Sequence, residues 1–181
     1  MSDDSPHLLL NLIGPRRPLG IGISLEEYRQ DYLRTPPKEE LLRWSKNPRN
    51  ATGKWYEDQI RHRLEEFEKK HGWGSEHHVN IGRSKVHLTD KVVDVLVNKA
   101  LGLELKFLNV EGSLIRPKAL VDAIDFSNRS VHCIYVVDGP AWLSGGKRGI
   151  SNLEYLAHWW EFTCANHLER TIAKFLGMKK S

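Results

Sequence analysis

The sequence predicts a mixed α/β domain of the α+β kind, with a central mixed β-sheet flanked by helices and an N-terminal helical cap. Three observations lead there. Residues 54–70 repeat apolar side chains at three- and four-residue spacing, the mark of an amphipathic helix. Two runs rich in Val and Leu, 92–97 and 103–107, flank a short polar turn and read as a β-hairpin. A third, near-continuous apolar run at 131–137 follows a helix-like stretch, which suits a buried strand reached by a crossover. At 181 residues with 40% hydrophobic content, the chain has apolar mass for one core and too little for two comfortable ones.

The first twenty residues, punctuated by Pro and Gly, read as an arm in which Leu8 to Ile13 is apolar enough to dock. Ser24-Leu25-Glu26-Glu27 is a capping box that opens a helix to about Arg34. Thr35-Pro36-Pro37 restarts a second helix through Leu41, Leu42 and Trp44, since proline is tolerated in a first helical turn. Arm and cap together span residues 1–52, and the core spans 53–181. Asn47 to Gly53 reads as a loop, with Thr52 as N-cap of the next helix. That helix packs Tyr56, Ile60, Leu64 and Phe67 and stops at His71-Gly72.

His77 to Val86 reads as a first strand ahead of the hairpin, and Arg116 to Phe126 as a helix with Leu120, Ala123 and Ile124 turned inward. Val131 to Val137 is closed by Asp138-Gly139-Pro140, in which Asp138 is most simply a turn residue. Ser151-Asn152-Leu153-Glu154 is another capping box. Leu153, Leu156, Trp160, Cys164, Leu168, Thr171 and Phe175 then recur at helical spacing, which predicts one long helix to Gly177. Trp159 beside Trp160 widens that stripe toward a dimer contact.

The hairpin places three charged residues, Asp94, Glu104 and Lys106, inside strongly apolar strands. A buried charge left without its partner costs roughly 3–5 kcal/mol, so such residues point to a site. Period-two parity puts Asp94 on a face with Val92 and Leu96, and Val93, Val95 and Val97 on the other. If Asn98-Lys99-Ala100 is a three-residue loop, Val97 pairs with Leu101 and Asp94 falls opposite Glu104. Facing carboxylates about 5 Å apart repel unless a cation sits between them, and a hard divalent ion such as Mg²⁺ suits the place. The simpler reading is a solvated hairpin face on which Lys106 pairs Glu104. Asp90 has the parity of Asp94 but lies roughly 13 Å away at about 3.3 Å per residue, in the polar entrance to the strand.

An aspartate in one strand and Glu-x-Lys in the next, after a helix that carries Glu57, resembles the PD-(D/E)xK nuclease superfamily, which includes many type II restriction endonucleases. The proline that the family places before the aspartate is replaced here by Val93. The resemblance implies a restriction-endonuclease-like fold in which Asp94, Glu104 and the Leu105 carbonyl hold Mg²⁺, for which Mn²⁺ can substitute. It makes Lys106 the residue that orients water or stabilises charge, and Glu57 an acid that approaches the metal directly or through water. A first-turn acid that favours the positive end of the helix dipole is the alternative for Glu57. The Val-Asp-Gly ending and Trp142 also look like features of several restriction endonucleases.

Composition agrees with a phosphate-facing protein. Lys and Arg number 27 against 23 acids, a net charge of +4, and the pI is near 9.1. Candidate DNA contacts are Arg83 and Lys85 before the hairpin, Arg116 and Lys118 after it, and Lys147 and Arg148 in a glycine-flanked loop, with Arg49 and Asn50 as further candidates. Cys133 and Cys164 form no disulfide framework or zinc pattern, and the histidines have no ligand spacing. No apolar run approaches the roughly 18 residues that span a bilayer, which predicts an intracellular, cytoplasmic protein. The combined expectation is a single-domain Mg²⁺-dependent endodeoxyribonuclease, a type II restriction enzyme acting as a homodimer on double-stranded DNA. The alternatives are a structure-specific repair or recombination nuclease and a catalytically silent DNA-binding module.

Overall fold

In the computed structural model, which describes residues 19–84, 86, 88–109, 122, 125, 131–145 and 149–180, five strands lie side by side in chain order. They are β1 (Ser75–Arg83), β2 (Asp90–Val97), β3 (Leu101–Phe107), β4 (His132–Asp138) and β5 (Phe162–Thr163). The first three form an antiparallel meander, β4 runs parallel to β3, and β5 runs parallel to β4. Helices α1 (Leu25–Asp31), α2 (Lys38–Leu41) and α3 (Pro48–His71) precede the sheet, and α4 (Asn152–Trp159) and α5 (Leu168–Lys179) follow its main strands. The mixed sheet flanked by helices is the architecture that the sequence predicts.

Alternation along the strands sorts side chains onto two faces. Leu101, Leu103 and Leu105 of β3 and Ile134 and Val136 of β4 meet Tyr56, Ile60 and Leu64 of α3 and Leu168 and Ile172 of α5. Cys133, Tyr135 and Val137 turn the other way, onto Tyr28, Trp142, Leu153, Leu156 and Phe162. Glu104 and Lys106 alternate with the β3 leucines and therefore belong to this second face.

Three expectations about element limits are corrected. α3 begins at Pro48, so the Asn47–Gly53 loop is largely helix and the division at residue 52 falls inside it. Proline fits the first turn because the N–H it lacks would have no partner there, and the Ala51 N–H donates to the Asn47 carbonyl at 2.9 Å. Thr52 is not a cap, since its hydroxyl donates to the Pro48 carbonyl one turn back. At the other end Gly72 takes φ 75 and its N–H closes on Glu68, as expected of a glycine after a helix.

β1 starts two residues earlier than expected and stops at Arg83. Ser84 leaves the strand, with its N–H on the Thr89 carbonyl and its hydroxyl on buried Asp125. The single C-terminal helix is in fact α4, β5, a 3₁₀ turn (Ala165–His167) and α5. Trp160 is extended, Phe162 and Thr163 pair with Tyr135 and Val136, and the Glu161 carboxylate accepts the N–H groups of Leu19 and Ile21 at 2.8 and 3.0 Å. These long-range bonds outweigh local helix propensity. Apolar spacing survives across the break because β5 and the turn still face the core.

The end of β4 is the tightest junction. The Asp138 side chain accepts from Leu33 N–H at 2.6 Å, Tyr56 hydroxyl at 2.7 Å and Ala165 N–H at 2.9 Å, tying β4 to the cap, α3 and the 3₁₀ turn. It is fully buried, so the turn-residue reading is replaced by that of a structural hub. Gly139 follows with φ 98, and a Cβ there would collide with the Leu108 carbonyl. Gly139→Ala is expected to lower unfolding free energy by about 3 kcal/mol, read by urea denaturation, and a loss below about 1 kcal/mol would show that the junction yields easily.

Candidate active site

The β2–β3 turn sets the geometry. Asn98 and Lys99 both adopt left-handed backbone, φ 46 and 56, and the Ala100 N–H returns to the Val97 carbonyl at 3.0 Å. Val97 pairs with Leu101, Leu96 with Gly102 and Val95 with Leu103, which is the three-residue loop and register expected. Continuing the count sets Asp94 opposite Glu104. The ladder itself stops one step short, and there Asp94 Oδ2 accepts the Leu105 N–H at 2.7 Å. A carboxylate thus stands where a backbone carbonyl would be.

The β1 side is irregular at the same place. His77 pairs with Val95 and Val79 with Val93, but His78, opposite Asp94, has φ 52, rare for a non-glycine residue. Side-chain parity changes across this point. Val95 faces α3, whereas Val93 Cγ2 lies 3.2 Å from where a Gly102 Cβ would sit, beside Cys133 on the second face. The expectation that Val93, Val95 and Val97 share a face is therefore wrong, because a local irregularity reverses every side chain beyond it. Relieving the strain should show: His78→Gly is expected to raise unfolding free energy by about 1 kcal/mol in a urea melt, and a fall would mean that the imidazole contributes more than its backbone costs.

The reversal carries Lys91 onto the Glu104 face. Glu104 is 3% exposed, with Lys106 Nζ at 3.1 Å and Lys91 Nζ at 4.0 Å from its Oε1. Lys91 also binds Asp122 Oδ1 at 2.8 Å, and the Tyr135 hydroxyl donates to Asp122 Oδ2 at 2.6 Å. Burial pushes the Glu104 carboxyl above its ordinary range; Lys106 and Lys91 pull it back, while Asp94 and Asp122 push it further up. For Lys106 burial acts downward, but Glu104 and Asp94 outweigh it, so its pKa is raised and it remains a cation. Trp142 Nε1 donates to the Lys106 carbonyl at 3.3 Å, tying the strand end that carries the lysine to the second core.

Lys91, Asp122 and Tyr135 were not singled out from the sequence. Asp122 carries the signal of a charged residue amid apolar helix positions, whereas Lys91 lies in the strand's polar entrance and Tyr135 in an apolar run, where local sequence does not mark them. Glu57 lies elsewhere. It is exposed on α3 and lines a cleft of about 360 Å³ with Trp44, Lys54, Asp58, Arg61, His77 and His78. α3 packs on the sheet face opposite Glu104, so Glu57 stands apart from the Glu104–Lys106 pair, in a cleft that His78, the residue opposite Asp94, also lines. Asp90 is exposed, opposite Arg83, and accepts from Asn80 Nδ2 at 2.7 Å.

Of the candidate DNA contacts, Arg83 ends β1 and Asn50 is exposed in the first turn of α3. The Arg49 side chain and Lys85, Arg116, Lys118, Lys147 and Arg148 lie outside the described residues, as does most of the 116–126 stretch expected to be helical. Among the described residues no three His, Cys, Asp or Glu side chains form a ready metal cage, and no helix is long and apolar enough to cross a membrane. The oxygen set nevertheless suits a hard cation: the Asp94 and Glu104 carboxylates flank Leu105. The N–H and C=O of one strand residue face the same neighbour, so the N–H bond to Asp94 places the Leu105 carbonyl on that edge too. No known protein family, curated protein or solved structure matches this chain.

Proposed function

We propose that this protein is a Mg²⁺-dependent endodeoxyribonuclease of restriction-endonuclease-like fold that hydrolyses double-stranded DNA, most simply as a homodimeric type II restriction enzyme. The observation that carries the reading is the assembly of Asp94, Glu104 and Lys106 around Leu105 at the point where the β2–β3 ladder stops. The chain order of helix α3, the three-stranded meander and the parallel fourth strand supports this reading.

Asp94, Glu104 and the Leu105 carbonyl would hold Mg²⁺, which supplies Lewis acidity toward the scissile phosphate and a more acidic bound water. The residues of the chain do the rest. Lys106, held as a cation beside Glu104, orients the attacking water and offsets negative charge that grows on phosphate. The Leu105 N–H fixes Asp94 so that its remaining oxygen can serve the site. Products would be a 5′-phosphate and a 3′-hydroxyl, and two copies related by a two-fold axis would place one site on each strand of a palindrome.

A second reading, a silent DNA-binding module, draws on the burial of Glu104 between two lysines, which a purely structural ion network would also show. Digestion of a long duplex with Mg²⁺ or Mn²⁺, followed by sequencing of the ends, separates the readings. Discrete fragments with uniform ends that vanish in EDTA are the expected result. Cutting confined to branches or ends would indicate a repair enzyme, and salt-sensitive binding without any cutting would leave the silent module.

A further inference from the structure

The Lys91–Asp122 pair lies beyond the motif residues, yet its lysine reaches into their cluster. Lys91 comes from β2, on the far side of the irregularity at Asp94, and is only 12% exposed; Asp122 is buried and fixed by the Tyr135 hydroxyl from β4. The ammonium is 2.8 Å from Asp122 and 4.0 Å from Glu104, on a separate strand from Lys106. The cluster thus holds three carboxyl groups, Asp94, Glu104 and Asp122, and two amino groups, Lys91 and Lys106.

We propose that Lys91 and Asp122 are positioning residues that set the electrostatic balance of the cation site formed by Asp94 and Glu104, with Lys91 restraining and Asp122 promoting the uptake of a divalent ion. The proposal rests on the metal-dependent reading above. Lys91 competes with an incoming cation for Glu104, and Asp122 draws that ammonium away while adding a negative charge nearby. Tyr135 holds Asp122 in place without adding charge of its own. The opposite signs follow because a buried lysine and a buried aspartate act on a third ion through the same poorly screened medium.

This makes the role separable from simple stabilisation. Lys91→Met and Asp122→Asn break the same ion pair, so a purely structural pair would weaken ion binding in both variants. An electrostatic role moves them apart. With Mn²⁺ as the probe, and the free ion followed by electron paramagnetic resonance without DNA, Lys91→Met is expected to bind roughly tenfold tighter and Asp122→Asn roughly tenfold weaker than wild type. Lys91→Arg, which keeps the charge, should stay within about threefold of wild type. Should Lys91→Met fail to fold, Lys91→Gln removes the charge while keeping an amide beside Asp122, and the same sign is expected. Shifts of both neutralising variants in one direction, or no shift in either, would overturn the proposal. A wild-type protein that takes up no Mn²⁺ would instead remove the metal-dependent reading on which it stands.

Discussion

Lys106→Ala is expected to lower the rate of Mg²⁺-dependent DNA cleavage by at least about a hundredfold while leaving salt-dependent DNA binding within about threefold. The size follows from its place. Lys106 is the closer of two ammonium groups on Glu104, 3.1 Å against 4.0 Å for Lys91, and in the proposed site would stand beside a phosphate engaged by the Mg²⁺ that Asp94 and Glu104 would hold. One positive charge is a minor part of the attraction between a basic protein and DNA, so binding should survive. Lys106→Arg keeps the charge in a different shape and is expected to recover part of the rate. Single-turnover cleavage and a binding titration on the same duplex separate the two effects. A rate unchanged in Lys106→Ala would end the nuclease assignment.

The second large effect concerns stability and pH at Asp138. Burial pushes its carboxyl up to about 6 from an ordinary 3.8, against the downward pull of the Leu33 N–H, the Tyr56 hydroxyl and the Ala165 N–H. A carboxyl whose folded pKa is raised holds its proton more tightly in the folded state. Its effect on stability is therefore most favourable below about pH 4 and is lost as pH rises to about 6. A shift of about two units corresponds to roughly 3 kcal/mol. Asp138→Asn cannot titrate, whereas Glu27, Glu154 and Glu169, all held below their usual range, act alike in both proteins. The stability difference between wild type and variant is thus expected to move by roughly 3 kcal/mol toward wild type between pH 7 and pH 4. Urea titrations at intervals of one pH unit measure it. A difference that stays flat over this range would mean that folded Asp138 is ionised throughout.

Legibility in the sequence tracked the range of the interactions involved. The Ser24 and Ser151 capping boxes formed as read because each needs only residues three positions apart. The Asn98-Lys99-Ala100 turn and the Val97–Leu101 register are equally local. The long C-terminal helix failed because Glu161 and β5 are claimed by residues some 140 and 27 positions away in the chain, Ile21 and Tyr135 among them. The place of Glu57 on the border of the α3 stripe is local, but which sheet face α3 covers is decided only by helix packing.

By itself the sequence determined the alternation of elements, the apolar runs that become the central strands and the turn that brings Asp94 opposite Glu104. Short-range sterics and side-chain periodicity are enough for these. The tertiary structure alone decided that parity reverses at Asp94, that Lys91, Asp122 and Tyr135 join the carboxylates, and that Asp138 anchors the cap. Each of these depends on which distant backbone group satisfies a buried polar atom, and desolvation makes that choice count.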